Sequence, residues 1–238
     1  MKKIILFASL LISLGLSAQK TVHDDNAVVR NAKGFHAIEI SDGIDLYLSQ
    51  ANEEAVAVSA SSSDYRDKIR VEVVNGTLKI YYERDRNRGM SINWGNRKMK
   101  AYVSVKNLDK LYASGGADIF IDNELSGNTL SMHISGGSDF KGRLNLRELT
   151  LDASGGSDAT ISGRAEQVKI EASGGSDVHA YDLITGTCTI HSSGGSDVHI
   201  TANKEINASA SGGSDIYYKG TASSNTSKSG GGSIKKVN

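Results

Sequence analysis

Six copies of one pentapeptide recur in the second half of the chain and limit its fold more than any other feature. They begin at residues 114, 135, 154, 173, 193 and 211, and so lie 18 to 21 residues apart. The first copy reads Ser-Gly-Gly-Ala-Asp and the other five read Ser-Gly-Gly-Ser-Asp. A short fixed period is typical of a solenoid, in which each coil buries its apolar face only against its neighbours.

Apolar and polar residues alternate on both sides of each Gly-Gly pair. Counted from the first serine of a copy, positions −5, −3, −1, +5 and +7 are mostly apolar. Such alternation is typical of strands with one buried face. The absence of proline agrees, because proline cannot donate to a strand ladder. We therefore predict an all-β fold, a parallel β-helix or β-solenoid. Each coil of about 19 residues would contain a strand, a corner, a second strand and a variable return such as residues 162–167.

The Gly-Gly pairs are predicted to be structural turns. Glycine permits the positive φ and the close backbone approach that a stacked corner requires. Gly175→Val is therefore expected to cost more stability than Asp177→Asn, which keeps an acceptor oxygen. The predicted turn glycines are Gly43, Gly115, Gly116, Gly136, Gly137, Gly155, Gly156, Gly174, Gly175, Gly194, Gly195, Gly212 and Gly213.

The N-terminal half is less regular. Residues 38–48 superpose on one copy of the repeat, with Ser41, Gly43 and Asp45 in equivalent places. The next residues predict a β-meander with an Asn75-Gly76 hairpin turn. The predicted strands are 55–60, 69–74, 78–82 and 100–105, with a short turn or helix at 64–68.

Residues 1–18 have the pattern of a secretory signal peptide, with two lysines, an apolar run over 4–16 and a small-residue exit. That run is short for a membrane span, and no later segment is long and apolar enough to be one. We predict an exported protein with a leader segment at 19–33 and one domain at 34–238. Within it, 34–108 is the irregular part, 109–220 the repeats and 221–238 a C-terminal half-coil or cap.

The charge of the chain beyond residue 18 is nearly balanced, with 25 basic and 27 acidic residues. Nucleic-acid-binding proteins usually carry an excess of basic residues, so this balance does not indicate such a partner.

The repeated aspartates suggest two roles. Related Gly-Gly-x-Gly-x-Asp repeats bind Ca²⁺ between coils, but here the third glycine is missing and the motif occurs once per coil. The alternative, which we favour, is that each carboxylate accepts hydrogen bonds from the amides of its own corner. The candidate calcium ligands are Asp139, Asp158, Asp177, Asp197 and Asp215, with Asp118 and Asp45 in line with them.

Ser176, Asp177 and His179 are residue types of a hydrolase triad. The next coil repeats them as Ser196, Asp197 and His199, whereas catalytic constellations are normally unique. We therefore assign no catalytic residue.

Two histidine pairs and the cysteine are predicted to be structural. His179 and His199 share one column, and His133 and His191 share another, but two ligands do not make a zinc site. Cys188 stands in a column of aliphatic residues, which predicts a buried thiol.

Residues 83–97 interrupt the pattern with arginines around the only tryptophan. Loops often carry function, and Trp and Arg are enriched at binding hot spots. The alternative is a solvated hairpin end with the indole folded back on the core. The candidate binding residues are Arg84, Arg86, Arg88, Trp94 and Arg97.

The chain resembles the head GIN domain family of auto-transporter adhesins over residues 34–236. The resemblance rests on residues 35–40, on Gly43-Ile44-Asp45 where the family name implies Gly-Ile-Asn, and on 73–80 and 103–108 leading into the repeats. It implies a β-helical exported domain without assigned catalytic residues.

We therefore expect an exported, non-enzymatic, adhesin-like protein, periplasmic, on the cell surface or secreted, that binds a glycan or protein without a cofactor. The alternatives are a carbohydrate-active β-helix enzyme and a calcium-stiffened spacer. Oligomerisation stays open.

Overall fold

The structure is a computed structural model that describes residues 24–84 and 97–238. In these residues 16 strands join into a single sheet. None of their helices is long and apolar enough to cross a membrane. The predicted signal peptide lies outside the described residues. The elements are β1 (Val28–Arg30), β2 (Ala37–Ile40), β3 (Asp45–Gln50), β4 (Ala55–Ser59), α1 (Ser63–Arg66), β5 (Ile69–Val74), β6 (Thr77–Tyr82), β7 (Lys100–Val105), β8 (Lys110–Ala113), β9 (Ile119–Ser135), β10 (Phe140–Ser154), β11 (Asp158–Ala172), β12 (Asp177–Ser192), β13 (Asp197–Ala210), β14 (Asp215–Lys219), β15 (Ser223–Lys228) and β16 (Ser233–Lys236).

The predicted parallel β-solenoid is confirmed, with about seven turns of about 19 residues. Strands β9 to β13 pair in parallel, each with the next. Leu149 pairs with Val168, which pairs with Cys188, so equal positions of the repeat stack directly on one another. The inward positions thus form continuous apolar columns, which supply most of the core.

The predicted variable return is itself part of a strand. Residues 162–167 lie inside β11 and pair with β10. The pairing of β11 with β12 shifts register between Thr160 and Gly163, where the strand bends. Gly163 has φ +105°, and a Cβ there would clash with the carbonyl oxygen of Leu144. The return therefore depends on glycine as strictly as the corners do.

The first layers of the stack do not follow chain order. Strand β2 lies between β8 and β6, and β3 lies between β9 and β7. Residues 38–48 therefore form a coil that stacks on the repeat, as predicted. In that coil Ile40 pairs with Ala113, and Asp42, with φ +63°, stands where the repeat has its first glycine.

Strands β6 and β7 form the next layer outward, and antiparallel strands cover them. Strand β5 pairs with β6 through the predicted Asn75-Gly76 hairpin, and β4 pairs with β7. Residues 83–99 join β6 to β7 as the corner 41–44 joins β2 to β3. We call residues 83–99 the enlarged corner, although residues 85–96 of it lie outside the described residues. Strand β6 pairs with β2 and β5, and β7 pairs with β3 and β4, so this segment does not close a hairpin between two paired strands.

The C-terminal residues, predicted as a half-coil or cap, add a further layer to the stack, with one strand on each side of a corner. Strand β15 pairs with β13, and β16 pairs with β14. A glycine corner at Gly230, with φ +64°, lies between them. Ser233 takes the place opposite Asp215, so the aspartate column ends there.

The predicted turn glycines adopt positive φ except at Gly175, Gly195 and Gly213. The reason given for the expected severity of Gly175→Val is therefore wrong, because φ at Gly175 is not positive and an added Cβ there would meet no atom within 4 Å. That argument applies instead to Gly174, where φ is +78° and the Cβ would lie 3.2 Å from the Gly155 amide nitrogen.

Cys188 is buried as predicted, with 2% of its surface exposed. Burial raises the pKa of its thiol to about 11, and Thr185 Oγ1 lies 2.8 Å from Sγ. We expect no reaction of the native protein with 5,5′-dithiobis(2-nitrobenzoate) until denaturant is added, because the thiolate is the nucleophile. Ser227→Cys in a Cys188→Ala background, on an exposed strand, should react at once. Rapid labelling of native Cys188 would contradict the register of its column.

Candidate functional site

The fourth residue of each of the last five repeats is a buried serine that forms hydrogen bonds at the corner. Ser157, Ser176, Ser196 and their equivalents Ser138 and Ser214 have no exposed surface. The Ser157 hydroxyl lies 3.0 Å from the carbonyl oxygens of both Ser154 and Ile134, one coil away. It also accepts a hydrogen bond from the Ser154 amide at 3.1 Å. The hydroxyls of Ser138, Ser157, Ser196 and Ser214 each form a hydrogen bond with backbone of a neighbouring coil and so join coils inside the stack.

This burial excludes the triad arrangement that the sequence contains. The Ser176 hydroxyl donates to the Ser173 carbonyl oxygen at 2.9 Å and is shielded from solvent. Sequence reasoning missed the structural role of this serine. If the period-two alternation is extended across the corner, however, it places the serine on the inward side.

The aspartates form an outward column, but their partners differ from the prediction. The Asp158 amide donates to Asp139 Oδ1 at 3.1 Å, and the Asp177 amide donates to Asp158 Oδ1 at 3.2 Å. The same bond recurs at Asp139, Asp197 and Asp215. Each carboxylate accepts from the next coil rather than from its own corner, so the column stabilises the stacking of coils.

Calcium ligation by this column gains no geometric support. Within the two described ranges, no group of three or more His, Cys, Asp or Glu side chains is arranged to hold a metal ion. One oxygen of each carboxylate from Asp118 to Asp197 is already engaged by a backbone amide.

Asp45 extends the aspartate column by one coil and carries a testable pH dependence. Burial, and then the neighbouring charge of Asp118, raise the pKa of its carboxyl. The ionised form therefore costs stability above that pKa, and the cost disappears as the pH falls through it. We expect Asp45→Asn to raise the melting temperature at pH 7, by an amount equivalent to at most about 1 kcal/mol because the group is half exposed. The gain should shrink toward pH 4 and be absent for exposed Asp182→Asn. An equal gain at both pH values would contradict this assignment.

Aromatic rings stack beside the aspartates on the outer face. Tyr102, Tyr47 and Phe120 lie one above another with ring centroids 5.3 Å apart. His179 and His199 stack at 5.4 Å, as their shared column predicts, and Tyr217 continues the column at 5.1 Å. Burial and His179 lower the pKa of His199. Rings stacked in this way cover one another's faces, so the columns support the fold more than they offer a platform.

The enlarged corner is held at both ends by two of the five candidate binding residues. Arg84 lies 2.6 Å from the Asp42 carboxylate. The Arg97 guanidinium lies over the Tyr82 ring at 4.7 Å and near that of Tyr65 at 5.5 Å. Both are therefore anchors. Arg86, Arg88 and Trp94 lie outside the described residues.

A shallow groove runs along the strands that precede the corners, a surface that we call the pre-corner face. It consists of two adjoining depressions of about 350 and 360 Å³ that share Glu39. One continues to Tyr112 and His133, and the other to Lys79 and Tyr81 beside the enlarged corner. The sequence patterns gave no sign of it, because it depends on the spatial order of the first layers.

The chain matches one protein family over most of its length. The family is described as "Putative auto-transporter adhesin, head GIN domain", and the match covers residues 34–222. No protein of curated function is detectably similar.

Several solved structures share the fold. A "putative adhesin" from Bacteroides fragilis is 23% identical, with a TM-score of 0.80 over 89% of this chain and 96% of that one. Another "putative adhesin", from Parabacteroides distasonis, has a TM-score of 0.71 and 18% identity over 89% and 96%. A "putative lipid binding protein" from the same species has a TM-score of 0.66 and 20% identity over 90% and 97%. At these identities the likeness concerns the fold.

Proposed function

Because the chain belongs to the head GIN domain family of auto-transporter adhesins, we propose that it is an exported, adhesin-like protein that binds an external glycan or protein. It would act by binding and not by catalysis. The signal-like residues 1–18 support export, since they combine a basic start with an apolar run.

One observation carries this proposal: outward side chains of successive coils stand in register along the stack, and in one of these columns the aspartates recur from coil to coil. Neighbouring strands of a sheet lie about 4.8 Å apart, so these columns match a partner that is itself extended. The serines and aspartates that resemble catalytic residues form hydrogen bonds with backbone groups of their own or adjacent coils. A polysaccharide-cleaving enzyme needs instead an acid and a base placed in a cleft.

Within this function, the enlarged corner is the segment that we assign to partner recognition. It departs from the repeat and carries arginines with an indole, side chains enriched where binding energy concentrates. Arg84 and Arg97 fix its two ends against the stack. The residues between them would then meet the partner.

We expect Trp94→Ala and Arg88→Ala to weaken partner binding by roughly five- to thirtyfold, the range for truncating a hot-spot side chain. The melting temperature should stay nearly unchanged, because this proposal assigns both side chains to contact with the partner and not to the core. Arg97→Ala is the contrasting variant, since it removes a cation–π contact and should lower the melting temperature. A large fall in melting temperature for Trp94→Ala would instead place the indole in the core.

The proposal is tested by applying the chain from residue 19 to an array of bacterial and host glycans and extracellular-matrix proteins. Saturable binding to at least one extended glycan or matrix protein is expected. Shortening of a polysaccharide during the same incubation would favour the carbohydrate-active enzyme. Binding to no member of the array would contradict the adhesin-like function.

A further inference from the structure

The groove on the pre-corner face is built from two columns of side chains in neighbouring coils. In one column Lys79 pairs with Glu39, which pairs with Tyr112, which pairs with His133. The other column lies beside the corners and contains Tyr81, Ser41, Ser114 and Ser135. Since each step is one strand spacing of about 4.8 Å, the groove crosses four layers of the stack.

Tyr112 offers an exposed ring in this groove, with 40% of its surface accessible. Its neighbour His133 lies 6.0 Å away and is tilted by 48°, so it does not cover the ring as its partners cover Tyr47. An aromatic ring with an open face is the kind of surface on which an apolar, planar group packs. Tyr112 therefore differs from the stacked rings of the other face.

Most charged groups of the groove already have partners within the protein, Glu72 being the exception among its lining residues. Lys79 Nζ lies 3.0 Å from Glu39 Oε2, a contact that raises the pKa of Lys79. Arg84 pairs with Asp42 at 2.6 Å, and His133 lies 3.3 Å from Asp152. A charged ligand would have to compete with these pairs, whereas hydroxyl groups can add hydrogen bonds to them.

We propose that this groove binds an uncharged oligosaccharide that lies along the stack axis, with one sugar ring packed on Tyr112. The serine hydroxyls and the Glu39 carboxylate provide hydrogen-bond partners for sugar hydroxyls in successive layers. The inference rests on the proposed function, because it identifies the partner as a glycan and places it beside the enlarged corner.

A neutral sugar fits this surface better than a protein segment does. The groove is shallow and combines polar and apolar surface in similar amounts, and within the described residues it contains no deep apolar pocket for a peptide anchor. Its polar groups recur at the strand spacing, which suits a ligand with regularly repeated hydroxyls.

The test is titration calorimetry with neutral hexasaccharides of the cello, xylo, manno, malto and chito series. An oligogalacturonide and a sulfated glycosaminoglycan fragment serve as charged probes. At least one neutral hexasaccharide should bind more tightly than either charged probe. Tyr112→Ala should weaken that binding by roughly tenfold, as expected for an aromatic anchor, whereas Tyr112→Phe should stay within about threefold. Tyr217→Ala, which changes a tyrosine on a strand after the corner, is the matched control and should bind like the wild type.

The outcomes separate this inference from the proposed function. Binding of a neutral hexasaccharide that Tyr112→Ala leaves intact overturns the groove assignment and keeps the adhesin-like function. Preference for the charged probes, or capture of a matrix protein without any glycan, also overturns the groove assignment alone. The absence of binding to every glycan and matrix protein overturns both. Melting curves of the variants confirm that each is folded.

Discussion

Gly163→Ala is expected to lower the free energy of unfolding by roughly 3–5 kcal/mol, the range for a strained backbone that also meets a clash. Gly163 adopts φ +105°, which side-chain-bearing residues rarely adopt. A Cβ at this position would also overlap the Leu144 carbonyl group of the adjacent coil, and backbone cannot move aside cheaply. To relieve this clash, the bend in β11 at residue 163 would have to move away from β10. Urea unfolding followed by far-ultraviolet circular dichroism measures the loss.

Gly175→Ala is the matched control for this variant. Gly175 lies at a corner of the same stack, yet its φ is outside the left-handed region and no atom lies within 4 Å of an added Cβ. We expect a change of less than about 1 kcal/mol, since alanine reduces the entropy of the unfolded chain without strain. If the two variants lost the same free energy of unfolding, positive φ and the backbone clash at Gly163 would not be the cause of the loss.

Ser157→Ala is expected to cost about 1–3 kcal/mol, because it leaves buried backbone groups without their partner. The hydroxyl lies within 3.0 Å of two carbonyl oxygens and accepts from the Ser154 amide, all inside the stack. Water cannot replace it, since the side chain has no exposed surface. The same urea experiment reports the loss.

Two other variants make this result specific. Ser131→Ala changes an exposed serine of β9 and should alter stability by less than about 0.5 kcal/mol. Asp177→Asn keeps an oxygen that can accept the Asp197 amide, so it should cost less than Ser157→Ala. If Asp177→Asn were the more damaging variant, and only with calcium present, the aspartates would be metal ligands.

The repeat allowed much of the fold to be predicted because identical positions must stack. Period-two alternation placed Leu149, Val168 and Cys188 in one buried column, and their register confirms it. The same alternation also places the buried serines on the inward side, but the sequence analysis did not assign polar side chains to inward positions. Their partners are backbone carbonyls, which have no signal in the sequence.

Other features depend on contacts that the sequence does not encode locally. Strand β6 follows β2 by about 40 residues, and nothing in either sequence indicates on which side of β2 it pairs. The groove and the enlarged corner both result from that choice. The hydrogen-bond partners of the aspartates could not be predicted locally either, because a carboxylate at a corner can reach the amides of its own turn or those of the next coil. Only the stacking geometry decides between them.

The central claim is that this chain holds an extended external partner without transforming it. The most direct measurement incubates the chain from residue 19 with the polysaccharides and matrix proteins that it captures, and follows both occupancy and partner length by size-exclusion chromatography with light scattering. The account predicts a stable complex from which the partner is recovered at its original mass. A partner that is shortened and released as the incubation proceeds would show turnover and contradict the account.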